Sequence, residues 1–525
     1  ANWFPGLALM GVMPDRIGES LERLTQAVYD NGTLTGGLPA IQTDGLHTFE
    51  EGGNTVCQMN LLRIGDPKQV ERMMEIAHAT REKIIGVNRA GHTHFRTDYF
   101  SATKIAEEDP WAWSSPRQSL HLIPFIYLAE FYGNETARKT VIDMADGYLA
   151  HARTTADGKL VVDSEINFNT DESRPSGMGN STPVFWAAWR WTGNPKYLRP
   201  ILDRGISGLG SVTSNALDIA GLRETLGREI AETVRPDAGS DVMRHLAWQV
   251  TGDKRYLEAY YADQIEQNAI REYINTEGSV WIDRLVLPPG ELQRSRLGGI
   301  ALTRSQFYPG NAVSWRFDDP EQAERVAILV PQSAPREIRI EAFNTADSPV
   351  TAVLTGWDVL GGTWEIVQEE ETPEGGKSVP VKRRMEFGRN RSVPVAFPAR
   401  RTTFITLRLV GKGVDYAGRP ELGIGPEDIR VSDDGRIRVT VHSLGGVAAK
   451  GATLALVTAD GKTVSYTGIP ALGAPVDLLP KTAEVALTVP TGTALTECTV
   501  CIDPENRLSE ITRANNSVAL RTVVR

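Results

Sequence analysis

No run of 18 apolar residues occurs anywhere in the 525-residue chain, so no membrane-spanning helix is expected. The opening residues Ala1-Asn2-Trp3-Phe4-Pro5 lack a charged region followed by an apolar one, so any signal peptide is expected to have been removed or never present. Positive charge is neither abundant nor clustered: 56 Lys and Arg face 66 Asp and Glu, for a formal net charge of -10. A nucleic-acid binder needs the opposite, because phosphates are neutralised by grouped Lys and Arg. Familiar catalytic signatures are missing too. There is no Gly-x-Ser-x-Gly, no His-Glu-x-x-His and no Walker sequence, and Gly298-Gly299 opens no Gly-x-Gly-x-x-Gly after a strand.

Cysteine is scarce, three in all, so no disulfide framework holds the chain. Cys57 lies in a helical pattern and reads as a small buried apolar residue. Cys498 and Cys501 are three apart in a β-rich stretch and lack the two further ligands a zinc site needs. They read as a local disulfide of an exported domain, ahead of a pair of inert thiols.

What is present is an ordinary globular composition, 41% hydrophobic and 23% charged, in a chain long enough for about three domains. From Pro14 to about Asn275 apolar residues recur at intervals of three and four, predicting helices over 17–28, 51–64, 69–85, 118–132, 136–151, 183–191, 197–206, 216–234, 241–250 and 256–273. Several are joined by one device: an apolar or aromatic residue, Gly, then Asp or Asn. It occurs at Gly65-Asp66-Pro67, Gly133-Asn134, Gly193-Asn194-Pro195 and Gly252-Asp253, at spacings of 68, 60 and 59 residues. Gly ends one helix in the left-handed conformation, the polar residue caps the next, and Pro fits its first turn. The period is that of a helical hairpin with a long return loop. The long loops 31–49, 88–116, 154–182 and 207–215 are then expected on one side, at one mouth.

After Gly278 the period changes to two. Strands are predicted over 280–287, 312–317, 325–330, 337–343 and 403–409, with 369–384 as a charged mobile loop. Near Gly423 a third unit begins, with strands over 437–442, 452–457 and 484–489 at immunoglobulin-like spacing. The fold class is therefore read as multidomain α + β, with a helical domain at 1–278, an antiparallel β-sandwich at 279–422 and an immunoglobulin-like sandwich at 423–525.

The most chemically loaded stretch is Gly91-His92-Thr93-His94-Phe95-Arg96-Thr97-Asp98-Tyr99-Phe100, running on to Trp111-Ala112-Trp113. It lies between two helical patterns, has no periodicity of its own, and concentrates groups that move protons or hold anions, as active-site loops do. The next long loop adds Asn167, Asn169, Asp171, Glu172, Arg174 and Asn180.

Two resemblances follow from these patterns. The repeated hairpins resemble an α/α toroid, and a toroid followed by a β-sandwich resembles the toroid polysaccharide lyases and glycoside hydrolases, over roughly residues 1–410. The likeness rests on architecture and turns, and five visible hairpins are fewer than the six or seven usual there. The closing pattern Ile502-Asp503-Pro504, Glu510 and Asn515-Asn516 resembles the bacterial CARDB family over about the last hundred residues. That resemblance implies export and association with a cell surface or polymer, or simply a spacer that stabilises the enzyme.

Lyases of this kind neutralise a uronate carboxylate, remove the neighbouring proton and protonate the leaving oxygen. The resemblance implies Tyr99 as base or acid, His94 as its partner, and Arg96 with Asn169 or Asn180 as carboxylate neutralisers. Arg174 is a further binding residue, and Trp111 and Trp113 are sugar-stacking platforms. Arg304 or Tyr308 would reach in from the sandwich. The plainer readings are loop histidines bonded to backbone, an Arg96 ion pair with Asp98 or Glu107, Tyr99 packed on Phe95 or Phe100, and tryptophans that anchor the loop. A hydrolase would instead use two carboxylates, from Asp98, Asp171 and Glu172, with Asp44, Glu50 and Glu51 on an earlier loop. No metal is assigned, since His92 and His94 have no evident third ligand, although a divalent cation would assist carboxylate neutralisation. No cofactor is expected. The sequence thus points to a secreted, cell-surface or periplasmic bacterial lyase acting on an acidic polysaccharide, with a hydrolase as runner-up and a non-catalytic polysaccharide-binding scaffold as third reading. The expected partner is the polysaccharide itself, with no nucleic acid.

Overall fold

The computed structural model describes residues 4–44, 54–205, 208, 222–238, 240–269, 290–301, 308–432 and 435–523. Its helices are α1 (Phe4–Leu9), α2 (Pro14–Asp30), α3 (Asn54–Leu62), α4 (Pro67–Ala79), α5 (Ile123–Tyr132), α6 (Glu135–Ala150), α7 (Thr182–Thr192), α8 (Pro195–Leu202), α9 (Leu222–Thr233), α10 (Asp241–Thr251), α11 (Lys254–Ala269) and α12 (Gly290–Leu297). None is long and apolar enough to cross a membrane. The predicted strand at 280–287, the start of the helix predicted at 216–234 and nearly all of the 207–215 loop lie outside the described residues.

The hairpin device is built as its chemistry requires. Gly65, Gly133, Gly193 and Gly252 adopt φ of 83, 69, 67 and 73°, the left-handed region where a Cβ is costly. The polar residue after each accepts from the next helix: Asp66 from the Gln69 N–H, Asn134 from Ala137, Asn194 from Lys196 and Asp253 from Arg255. The helices flanking each turn pack on one another, α3 on α4, α5 on α6, α7 on α8 and α10 on α11.

Contacts divide the chain into two compact units, each assembled from separated stretches. One comprises Ala1–Arg23, His151–Asp163 and Gly177–Gly413; the other comprises Leu24–Ala150, Ser164–Ser176 and Val414–Arg525.

The first unit carries two antiparallel sheets. Val313–Phe317, Val350–Gly356 and Ser392–Phe397 form a three-stranded one. Val326–Ala334, Glu337–Asn344, Thr402–Lys412, Gly362–Glu370 and Val381–Phe387 form a five-stranded one, in that spatial order. Burial alternates along Glu337–Asn344 and Ser392–Phe397 as the two-residue period demands. The loop expected over 369–384 is instead a β-hairpin, since Val381–Phe387 pairs with Gly362–Glu370. Its Lys382, Arg383 and Arg384 hide the apolar alternation because this is an edge strand, where charge discourages pairing with another chain.

In the second unit, two four-stranded antiparallel sheets of the C-terminal residues share one apolar core. Arg436–Ser443 contributes Ile437, Val439 and Val441 from one sheet, while Ala452–Thr458 and Cys498–Ile502 contribute Leu454, Leu456, Val500 and Ile502 from the other. Cys498 and Cys501 are both free thiols, correcting the expected disulfide. Three residues apart on one strand, they face opposite sides, Cys498 buried and Cys501 partly exposed. Cys57 is buried in α3, as read from the sequence.

These sheets close on the helical turns of the same unit. The Gly65 N–H donates to the Tyr132 hydroxyl at 2.9 Å, and the Gly65 carbonyl accepts from Asn515 Nδ2 at 2.8 Å. Asn515 also donates to Glu421, and Asn516 to Glu510. Burial raises the pKa of both carboxyl groups, and for Glu421 the neighbouring Glu510 raises it further. A Cβ on Gly133 would sit 2.7 Å from the Ala417 Cα, so the turn fits only as glycine.

His442, on Arg436–Ser443, is held between Glu71 of α4 at 2.5 Å and Asp428 at 3.0 Å. Burial opposes its charge, but hydrogen bonds to the two carboxylates outweigh it and raise the pKa from 6.5 to about 9. A raised pKa means that the folded state binds the proton more tightly than the unfolded chain does. The stabilisation is therefore complete below pH 6.5 and is lost as pH rises through about 9. Thermal unfolding across this range should show a decline worth on the order of 2–3 kcal/mol that His442→Gln removes. An unchanged decline in that variant would assign it to other groups.

Candidate functional site

The chemically loaded stretch is not irregular throughout. Thr93–Phe95 pairs antiparallel with Ile85–Val87, and Tyr99–Phe100 pairs with Thr43–Asp44. The first pair closes through a turn shaped by Asn88, whose Oδ1 accepts the N–H groups of Ala90 and His92, with Gly91 at φ 87°. The return loop forms a second hairpin, Glu165–Ile166 with Ser173–Arg174. Asn167 shapes that tip in the same way, accepting the N–H groups of Asn169 and Thr170.

The two tips meet inside the second unit. Asp171, in the left-handed region at φ 62°, accepts from Asn88 Nδ2 at 2.5 Å and lies 3.0 Å from His92 Nδ1. His94 lies on the short strand and His92 just before it, with ring centroids 6.1 Å apart. One ligand atom each of His92, His94 and Asp171 lies within 4.8 Å of the others. His94 is 1% exposed and meets the Tyr148 ring of α6 edge-on at 5.9 Å.

The rest of the predicted set falls around this centre. Arg96 donates to the Ile85 carbonyl at 3.2 Å and lies 3.7 Å from Glu107, the ion pair of the plainer reading. Asn169 donates to the Glu107 carbonyl at 2.8 Å, so Arg96 and Asn169 converge on one residue. Tyr99 is stacked on Trp111 with centroids 4.4 Å apart and planes at 22°. Trp113 pairs through its backbone with Asn167 and carries the Arg174 guanidinium 3.7 Å above its ring. Asp98 is half-buried with its N–H on the Trp111 carbonyl, while the Glu172 side chain is exposed. Asn180 and the buried Tyr308 belong to the other unit. Asp44 sits beside Tyr99 in the strand pair, and Glu50, Glu51 and Arg304 lie outside the described residues.

Two residues that the sequence reading passed over hold this arrangement. Asn88 links both tips, and its signal was the Asn-Arg-Ala-Gly turn at 88–91. Gly147 lets α6 lie directly on the histidine strand: a Cβ there would be 2.2 Å from the Thr93 carbonyl oxygen and 3.0 Å from His94 Cε1. Backbone cannot swing aside as a flexible side chain can. Gly147→Ala should therefore lower stability by about 1–3 kcal/mol and displace His94. Chemical denaturation and the histidine ring resonances check this, and native values for both would show that the helix yields freely.

No family model matches the chain, and no curated protein matches it. One solved structure similar to part of it is a cupin 2 conserved barrel domain protein from Leptotrichia buccalis, 12% identical, covering 32% of this chain and 84% of that one with a TM-score of 0.10. Agreement that loose carries neither fold nor function.

Proposed function

We propose that the chain is a secreted or surface-associated enzyme acting on an acidic polysaccharide, most economically a lyase that cleaves beside a uronate by β-elimination. The observation that carries this reading is the meeting of the two loops. Contacts between stretches about 80 residues apart bring His92 to Asp171 and Trp113 to Asn167, with Arg174 over the Trp113 ring, so that proton-moving, cationic and aromatic side chains come from the same two loops. Arg174, held over the Trp113 ring, supplies a cation suited to a sugar that carries a carboxylate. In this reading Arg174, Arg96 and Asn169 neutralise that carboxylate and acidify the neighbouring C–H. Tyr99 transfers the proton, with His94 as its partner.

Hydrolysis is the second reading and needs two carboxylates across the cleft, for which Asp98, Asp171 and Glu172 are the candidates; Asp171 is engaged by Asn88 and His92. The helical hairpins would form an α/α toroid. The C-terminal sheets would be a CARDB-type immunoglobulin-like module, whose Glu510 and Asn515-Asn516 signature serves as a buried clamp.

The test is absorbance in the unsaturated-uronate band during incubation with a panel of acidic polysaccharides, with new reducing ends assayed in parallel. Rising absorbance is expected, and Tyr99→Phe, which keeps the ring on Trp111, should abolish it without changing thermal unfolding. Reducing ends without absorbance would establish hydrolysis. Silence in both, with measurable binding, would leave the protein a polysaccharide-binding scaffold.

A further inference from the structure

We propose that His92, His94 and Asp171 form a binding site for a divalent transition metal of the zinc class. The proposal stands whether the chain is a lyase, a hydrolase or a binding protein. Three observations carry it.

The first is the donor set. Two imidazoles and one carboxylate suit zinc and its neighbours, whereas magnesium and calcium take oxygen ligands almost throughout. Three protein ligands are also the number that catalytic zinc sites retain. The second is spacing. Donors in a tetrahedron around zinc stand about 3.3 Å apart at bond lengths of about 2.0–2.1 Å. The three donors here lie within 4.8 Å of one another, and His92 Nδ1 is already 3.0 Å from Asp171 Oδ1. Small side-chain rotations would close the rest.

The third is support. Asp171 is held in a left-handed backbone conformation and gripped by Asn88, which also fixes the His92 N–H. Such outer partners orient metal ligands and raise affinity. The histidine strand cannot drift, because α6 lies on it at Gly147.

A simple hydrogen-bonded His92–Asp171 pair is the competing account, and the two differ in stoichiometry. The full chain would be stripped with a chelator, dialysed and titrated calorimetrically with zinc, with magnesium as control. Bound metal would be counted by mass spectrometry, and cobalt loading followed by visible absorbance. One equivalent of zinc per chain with sub-micromolar affinity is expected, no comparable magnesium binding, and cobalt bands of low-coordinate intensity.

Asp171→Asn and His92→Ala should each weaken zinc binding by more than about 100-fold. Asn88→Ala, which touches no metal, should weaken it by about 10–100-fold. His94 is buried, so His94→Gln is read only where its circular dichroism is native, and Asp171→Asn carries the test otherwise. Failure of the stripped wild type to take up zinc overturns the proposal, as does uptake that Asp171→Asn and His92→Ala leave unchanged. Neither result bears on polysaccharide cleavage, which the absorbance assay decides separately.

Discussion

The second unit depends on one line of buried hydrogen bonds. Tyr132 donates to Asn60 and accepts from the Gly65 N–H; the Gly65 carbonyl accepts from Asn515, which also donates to Glu421, and Glu421 accepts the Thr512 N–H. Each link satisfies a polar group that would otherwise be costly in an apolar interior. Because the line runs from α3 through the Gly65 turn to the last strands, the helices and the C-terminal sheets of this unit are one structure. His442, clamped between Glu71 and Asp428, fastens the same pair of elements a second time. Both fastenings use carboxylates, so the unit's cohesion is tied to proton occupancy more closely than an apolar interface would be.

The candidate site inherits its precision from that scaffold. α6 begins just beyond Gly133, where the sheets dock, and its Gly147 receives the histidine strand. Asn88 then ties the strand's turn to Asp171. Further along the same stretches Tyr99 stacks on Trp111, and the exposed Arg174 lies over Trp113.

What the sequence made legible was local. Gly-Asp and Gly-Asn junctions forecast the four left-handed glycines and their caps because the physics is confined to a few residues, and the strands 337–343 and 403–409 showed their period for the same reason. Val381–Phe387 was misread because edge strands replace apolar alternation with charge. The Cys498–Cys501 disulfide failed on a geometric point, that residues three apart on a strand point to opposite faces. In the site, His92, His94 and Asp171 were each singled out, but as members of different mechanisms. Their meeting depends on a contact across 79 residues, and no periodicity encodes that separation. Gly147 was invisible for a related reason, since its role is defined by the strand it lets in.

The bond between Gly65 and Asn515 joins residues 450 apart in the chain. At typical synthesis rates of about 5–20 residues per second, the Gly65 turn waits roughly 20–90 s on the ribosome before its partner exists. Until then the Gly65 carbonyl lacks its Asn515 partner, while Asn60, Tyr132 and the Gly65 N–H already have one another. The first unit's 177–413 stretch therefore emerges between the two halves of this bond, and closure of the second unit waits on residues made after it.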